Sequence, residues 1–290
     1  MICRRCLLRQ FLLRPDEITN DTFIYCLGEA ANKFGIVIIL PVAMSNHHHV
    51  VLFDRHGTYP EFLQRFHQQV ARCLNAHRGR WDYFWDGAAP SVVHLITPED
   101  VMRKLVYTAT NPVIAHLVER VHQWPGVNGY GALLRGEPLT VTRPSHFYRD
   151  DGPMPEEVTL ELVIPPELGD RTEVLRELQA RVEAVEAMCI EERRKTGRRV
   201  LGRRRVKEQS PFACPETFEP RRNIQPRVAA KNKWARIEAL QRNREFVKQY
   251  VSARRQWLAG ITTIFPRGVY WLRRFANVPF EPSPDRFAWP

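Results

Sequence analysis

Residues 35–53, GIVIILPVAMSNHHHVVLF, place two apolar runs on either side of the turn pair Ser45-Asn46. Isoleucine, valine and leucine dominate both runs, which predicts a buried strand over 35–44 and a second over 47–53. Side chains alternate across a sheet with period two, so His47 and His49 share one face and His48 points to the other. Two imidazoles on one face, two residues apart, suit a single divalent cation. A polar strand end that happens to carry three histidines is the plainer reading of the same spacing.

Outward from this pair the chain alternates strand and helix. Upstream, residues 5–13 read as a strand ended by Pro15, and 16–34 carry helical spacing through Ile18, Phe23, Tyr25 and Leu27. Downstream, 59–77 read as a helix and SVVHLI, 91–96, as a further strand. Thr97-Pro98-Glu99-Asp100 then supplies an N-cap residue, a proline at the first helical position and an acid at the third. The pattern predicts an α+β fold, an antiparallel sheet flanked by helices.

In the helix that starts at Pro98, Val101, Met102, Leu105, Val106 and Ala109 form one apolar stripe. Tyr107 lies almost opposite it, with Arg103, Lys104 and Asn111 on its own side. A tyrosine, an amide and two cations on one face are either a solvated surface or a site. Pro112 disfavours helical geometry at Asn111, so the helix is expected to end or kink there.

Composition narrows the class of function. The 290 residues carry 43 Lys+Arg against 32 Asp+Glu, a formal net charge of +11, which favours a polyanionic partner, nucleic acid before membrane. No apolar stretch approaches the ~18 residues of a membrane span. The opening MICRRCLLRQFLLRPD is interrupted by four arginines and makes a poor signal peptide, so a cytoplasmic, nucleoid-associated protein is expected. Only Cys3 and Cys6 of the six cysteines form a CxxC; with no second pair to answer it, reduced thiols are expected rather than a zinc site.

All ten histidines lie between His47 and His146, while the charge is +3 over residues 1–150 and +8 over 151–290. The turn-rich stretch RPSHFYRDDGPMP, 143–155, therefore divides a domain bearing the chemistry, 1–150, from a basic, mainly helical extension, 151–290. In that extension RRKTGRRVLGRRRVK, 193–207, has nine basic residues and no acid. Arg198, Arg199, Arg203, Arg204 and Arg205 are its candidate phosphate contacts, a solvated helix end being the alternative. A long helix follows, with Trp234, Ile237, Leu240, Val247, Val251 and Leu258 near one stripe, read as core or docking surface. FPRGVYWLRRF, 265–275, mixes arginines with Tyr270, Trp271 and Phe275, suited to base stacking or to packing on the first domain.

Two strings together resemble a known family. VAMSNHHHVVLF, with Asn46 before His-x-His, is similar to the HUH motif of single-tyrosine transposases. KLVYTATNPV, with Tyr107 before Asn111-Pro112 and 58 residues after His49, is similar to the segment that bears their catalytic tyrosine. RCLNAHRGRWDYFW, 72–85, resembles a stretch of the REP-associated tyrosine transposases, and the likeness covers about residues 1–150. Two features depart from that pattern: His48 stands where a bulky apolar residue is usual, and Asn111 offers only a neutral oxygen as third ligand.

The resemblance implies a ferredoxin-like HUH fold and a metal-dependent enzyme that nicks and joins single-stranded or hairpin DNA. It implies Tyr107 as the nucleophile, His47, His49 and Asn111 as ligands of Mg2+ or Mn2+, and Arg103 and Lys104 beside the DNA phosphate. The product would be a 5′-phosphotyrosine link and a free 3′-hydroxyl, which a second 3′-hydroxyl can displace. A free phenol titrates near ~10, so adjacent positive charge would assist its ionisation. Tyr83 is read as a packing residue, Tyr130 and Tyr148 as lying in turn-rich sequence, and His94 and His116 as core or surface histidines, accessory metal ligands being the alternative. A non-catalytic hairpin-binding regulator on the same scaffold is the rival, and both monomer and homodimer fit the family.

Overall fold

The computed structural model describes residues 1–217 and 226–281; the rest of the expected extension, 218–225 and 282–290, lies outside the described residues. The chain opens with β1 (Ile2–Arg5), followed by α1 (Glu17–Phe34), β2 (Ile36–Ala43), β3 (His47–Asp54), α2 (Tyr59–Arg78) and β4 (Ser91–Val92). These strands make one antiparallel sheet in the order β2-β3-β1-β4, so the two histidine-bearing faces belong to an interior strand. Pro41, which has no N–H to give to a ladder, sits on β2 at the sheet edge, where its loss is tolerated.

Helix α1 begins where Asp16 accepts a hydrogen bond from the Thr19 amide and ends at Gly35, whose φ of 65° suits a residue without Cβ. With α2 it covers the His48 face of the sheet. Phe23, Phe66 and Trp85 meet the His48 ring edge-on, and its Nε2 lies 2.9 Å from Nε2 of His67. Burial is the main reason both imidazoles stay well below their ordinary pKa, so the pair is neutral.

The short β5 (His94–Leu95) leads into α3 (Pro98–Ile114), which covers the opposite face. Its apolar stripe, Val101 to Ala109, is buried, and the Thr97–Asp100 capping box forms as the sequence predicts. Beyond it come α4 (Tyr130–Arg135), β6 (Leu139–Thr142) and β7 (Glu157–Leu160), the two strands pairing antiparallel against α1. Gly28 permits that approach: a Cβ there would stand 2.5 Å from Val158 Cγ1. Helix α5 (Arg171–Thr196) packs on α3, tied by Arg181 to both Glu99 oxygens at 2.8 Å, and α6 (Arg203–Glu208) follows. One hydrophobic core runs from Ile2 to Val206.

The remaining elements are β8 (Val228–Ala229), α7 (Lys233–Leu258) and α8 (Tyr270–Phe275). Ala253, Phe265, Val269 and Val278 make a second, small core there. Among the described residues no helix is long and apolar enough to cross a membrane.

Five expectations are corrected. The first strand is Ile2–Arg5, not 5–13: the Cys6 amide donates to Asn46 O and the chain turns away, with Leu8 and Arg9 at φ 50° and 61°. The run 91–96 divides at Val93, one half pairing with β1 and the other, in parallel, with β8. Helix α3 continues through Pro112 to Ile114, because a proline costs its helix only the bond to the preceding turn and the end follows within one turn. Trp234, Val247, Val251 and Leu258 of the α7 stripe are exposed; Phe246, Tyr250 and Ala253 make the packing contacts instead. Tyr83 is not packed but 84% exposed.

Asp100 links the two parts of the chain. Only 3% exposed, it accepts hydrogen bonds from Thr97 N and Oγ1 (3.2 and 2.7 Å) and from the Lys231 amide at 2.8 Å. Asp100→Ala breaks the capping box and leaves the part-buried Thr97 and Lys231 donors without their acceptor, so the protein loses about 1–2 kcal/mol in urea unfolding. Proteolysis near residues 226–236 should accelerate in the same variant. Unchanged stability would show that the capping box is dispensable.

Candidate active site

Strand pairing sets out the floor of the site. His47 and His49 project from β3 on the α3 side, with Arg5 of β1 in register with His47 and Cys3 in register with His49. The two imidazole centroids are 4.9 Å apart. From above, α3 presents Tyr107, 39% exposed, whose ring meets that of His49 edge-on at 5.4 Å. Lys104, one turn earlier, holds its ammonium 5.2 Å from the centre of the same ring. Imidazole pair, phenol and cation, remote in sequence, thus meet between the sheet and one helix.

The imidazoles are prepared differently. His47 Nδ1 lies 2.7 Å from Asn46 Oδ1, an acceptor, so Nδ1 carries the proton and the ring's tautomer is fixed. Asn46 is itself fixed, its Nδ2 donating to Arg9 O and its carbonyl accepting from Cys6 N. His49 is 5% exposed, and neither ring nitrogen has a hydrogen-bond partner among the described residues. Burial first, then the positive charges of its neighbours including Lys104 and Arg5, hold it well below its ordinary pKa. A neutral buried imidazole with two idle nitrogens is costly unless something else uses it.

Asn111 follows Tyr107 by one turn and is buried, while Arg103 is exposed and lies 3.6 Å from the Asp100 carboxylate. Burial pushes the Cys3 thiol up to about 11, which keeps it protonated. Among the described residues no group of three or more His, Cys, Asp or Glu is placed to hold a metal, so His94 and His116 do not join the pair. An ion here would have the two imidazoles from the chain, with positions left for substrate. The donor set fits Mn2+ better than Mg2+, which prefers oxygen.

No family model, curated protein or solved structure matches the chain. The site's reading therefore rests on its own geometry.

One further feature lies a turn before Tyr107 on α3. Residues 228–230 and Arg236 dock against the start of α3, and with Asp100, Arg103 and Lys104 they line a cavity of about 130 Å³. Basic side chains of the C-terminal part and of α3 thus share one basin. The arginines of 193–207 lie elsewhere: Arg198, Arg199, Arg203, Arg204 and Arg205 are exposed around the end of α5 and on α6. Arg204 is engaged with Glu208 at 2.6 Å.

Sequence reasoning missed Arg5 and the orienting role of Asn46. Arg5 enters only through the β1–β3 register, which a local pattern does not reveal. Asn46 was visible beside His47, but a turn residue and a hydrogen-bonding one look alike until the ring nitrogen is placed.

Proposed function

We propose that the chain is a metal-dependent enzyme that nicks and rejoins single-stranded DNA, of the single-tyrosine HUH transposase type, acting on hairpin DNA. The observation that carries this reading is the contact of Tyr107 with His49, whose two ring nitrogens are buried and unpartnered. The sheet order β2-β3-β1-β4, with crossing helices on both faces, supports the ferredoxin-like, HUH form of the fold.

Each residue has a task in such a reaction. His47, His49 and Asn111 would hold Mn2+ or Mg2+, which when bound supplies Lewis-acid polarisation of the phosphoryl group. Lys104 and Arg5 offset the negative charge of the phosphodiester, which otherwise repels a nucleophile. Tyr107 Oη attacks phosphorus as the bond to the 3′ oxygen breaks; the phenol loses a proton and the leaving oxygen gains one. The resulting link is again a phosphodiester, so a 3′-hydroxyl can reverse the step without an energy source. Tyr107 and both histidines belong to one chain, so this site needs no second copy to assemble. Arg198, Arg199, Arg203, Arg204 and Arg205, with Arg103, would add salt-dependent affinity for the backbone.

Incubation of end-labelled single-stranded hairpins with the protein and Mn2+ should give an SDS-resistant protein–DNA adduct that EDTA prevents. Cleavage without attachment would replace the proposal by hydrolysis through water. Hairpin binding with no adduct across varied hairpins would leave a non-catalytic binder.

A further inference from the structure

We propose that Leu8, Trp81, Tyr83 and Phe212 form a stacking platform for unpaired bases of the strand that enters the His47 end of the site. This rests on the single-strand reading above and extends it to a surface that the catalytic residues do not use.

Four observations converge on the patch. The first is exposure: Trp81 is 98% and Tyr83 84% exposed, with Leu8 and Phe212 also open to solvent. Single exposed apolar side chains are ordinary, but an apolar cluster set among arginines marks a surface that receives something. The second is strain. Leu8 and Arg9 both hold left-handed backbone, φ 50° and 61°, a region that costs a non-glycine residue about 1 kcal/mol or more. That conformation turns an apolar leucine outward, the reverse of what burial would select.

The third observation is rigidity. Leu7 N donates to Phe84 O at 2.9 Å, joining the 7–9 turn to the 80–84 loop. Arg80 donates to Gln10 Oε1 at 3.2 Å and lies 5.9 Å from the centre of the Phe212 ring; Gln10 in turn donates to Phe212 O. Three segments remote in sequence are thereby held as one surface before any ligand arrives. The fourth is continuity: Asn46 donates to Arg9 O and accepts from His47 Nδ1, so the platform borders the ligand histidine through one residue.

Charge selects the occupant. Residues 1–14 carry four arginines and no carboxylate, and Arg80 lies against the Phe212 ring within the platform itself. Aromatic faces amid cations suit a polyanion with exposed π-surfaces, which is single-stranded nucleic acid; paired bases in a duplex do not present their faces. Asp82 between the two rings opposes the trend without reversing it.

The test is fluorescence anisotropy of the full-length protein, in EDTA, with labelled oligo(dT) of roughly 20 nucleotides, longer than one platform requires. Matched duplex and an abasic strand of the same length serve as comparisons. Trp81→Ala should weaken oligo(dT) binding roughly tenfold and Trp81→Ala/Tyr83→Ala roughly a hundredfold, with Trp81→Phe near wild type. The salt dependence should stay unchanged, since no phosphate contact is lost. Trp81 is so exposed that its removal does not threaten the fold. Equal oligo(dT) affinity in the double variant, equal wild-type affinity for the abasic strand, or equal losses on duplex would each overturn the platform. So would a wild-type dimer that Trp81→Ala dissolves, since the occupant would then be a second copy. Binding in EDTA needs neither metal nor nucleophile, so an adduct that forms despite full-strength binding by the double variant sinks only this inference. A Trp81-dependent affinity without any adduct sinks only the catalytic reading.

Discussion

If Tyr107 is the nucleophile, Tyr107→Phe should abolish the covalent adduct and lower nicking by at least roughly four orders of magnitude. Hairpin affinity and thermal stability stay at wild-type values. The substitution removes one oxygen and keeps the ring, so the edge contact with His49 and the position beneath Lys104 both persist. Tyr107 is exposed enough that stability should move by no more than about 0.5 kcal/mol. The buried tyrosines are poor substitutes for it. Tyr25 is fully buried, donates to Pro155 O at 2.6 Å and is pushed up to about 12 by burial. Burial and the nearby Cys26 and Cys73 raise Tyr148 as well, and burial also raises Tyr130. The assay is an SDS gel of labelled hairpin DNA after incubation with Mn2+. An adduct of undiminished yield would move the nucleophile elsewhere, and exposed Tyr83 would be the next to replace.

What could be read from the sequence was what short-range chemistry decides. The α1 and α2 patterns, the runs either side of Ser45-Asn46 and the Thr97–Asp100 box all formed within a residue or two of expectation, because their determinants are local. The face assignments held too: period two placed His48 in the core against Phe23 and Phe66, and period 3.6 kept Tyr107 off the α3 stripe. Errors came where a distant partner decides. The run 5–13 looked like a strand, yet backbone bonds from Cys6 to Asn46, Leu7 to Phe84, Phe11 to Ala213 and Leu13 to Ser45 turn it into a strained loop that buries Leu12 and Leu13. The run 91–96 divides because Val228, far along the chain, takes its second half. Tyr83 reads as a packing residue, yet it is exposed, since aromatic content alone carries no sign of burial. The distance from His49 to Tyr107 belongs to the same class: the sequence supplied each face, and only the fold joins them.

His49→Leu should stabilise the metal-free protein while ending its response to metal, the opposite of what loss of a structural histidine does. In the wild type both ring nitrogens are buried without partners, and an unsatisfied buried polar group costs ~1–3 kcal/mol. A leucine of similar volume relieves that cost and packs against Val42 and Cys3, its cross-strand neighbours, and the Tyr107 ring. Stability in EDTA should rise by about 1–2 kcal/mol, which for a chain of this size is a Tm increase of a few degrees. Mn2+ reverses the order. An ion bound only by the folded state adds RT ln(1 + [L]/Kd), about 2.7 kcal/mol at a hundredfold excess over Kd, and the variant, left with the single imidazole of His47, loses that gain. Melting curves with EDTA and with Mn2+ therefore cross between the two proteins, a readout independent of DNA and of turnover. A variant less stable than wild type by more than about 1 kcal/mol in EDTA would assign His49 a structural role instead. A variant that keeps the Mn2+-induced shift would place the ion elsewhere. The crossing would connect the proposed chemistry to the fold: a strand interior bears an unpaired imidazole at a cost in stability, and a bound ion is what would complete that imidazole's bonding.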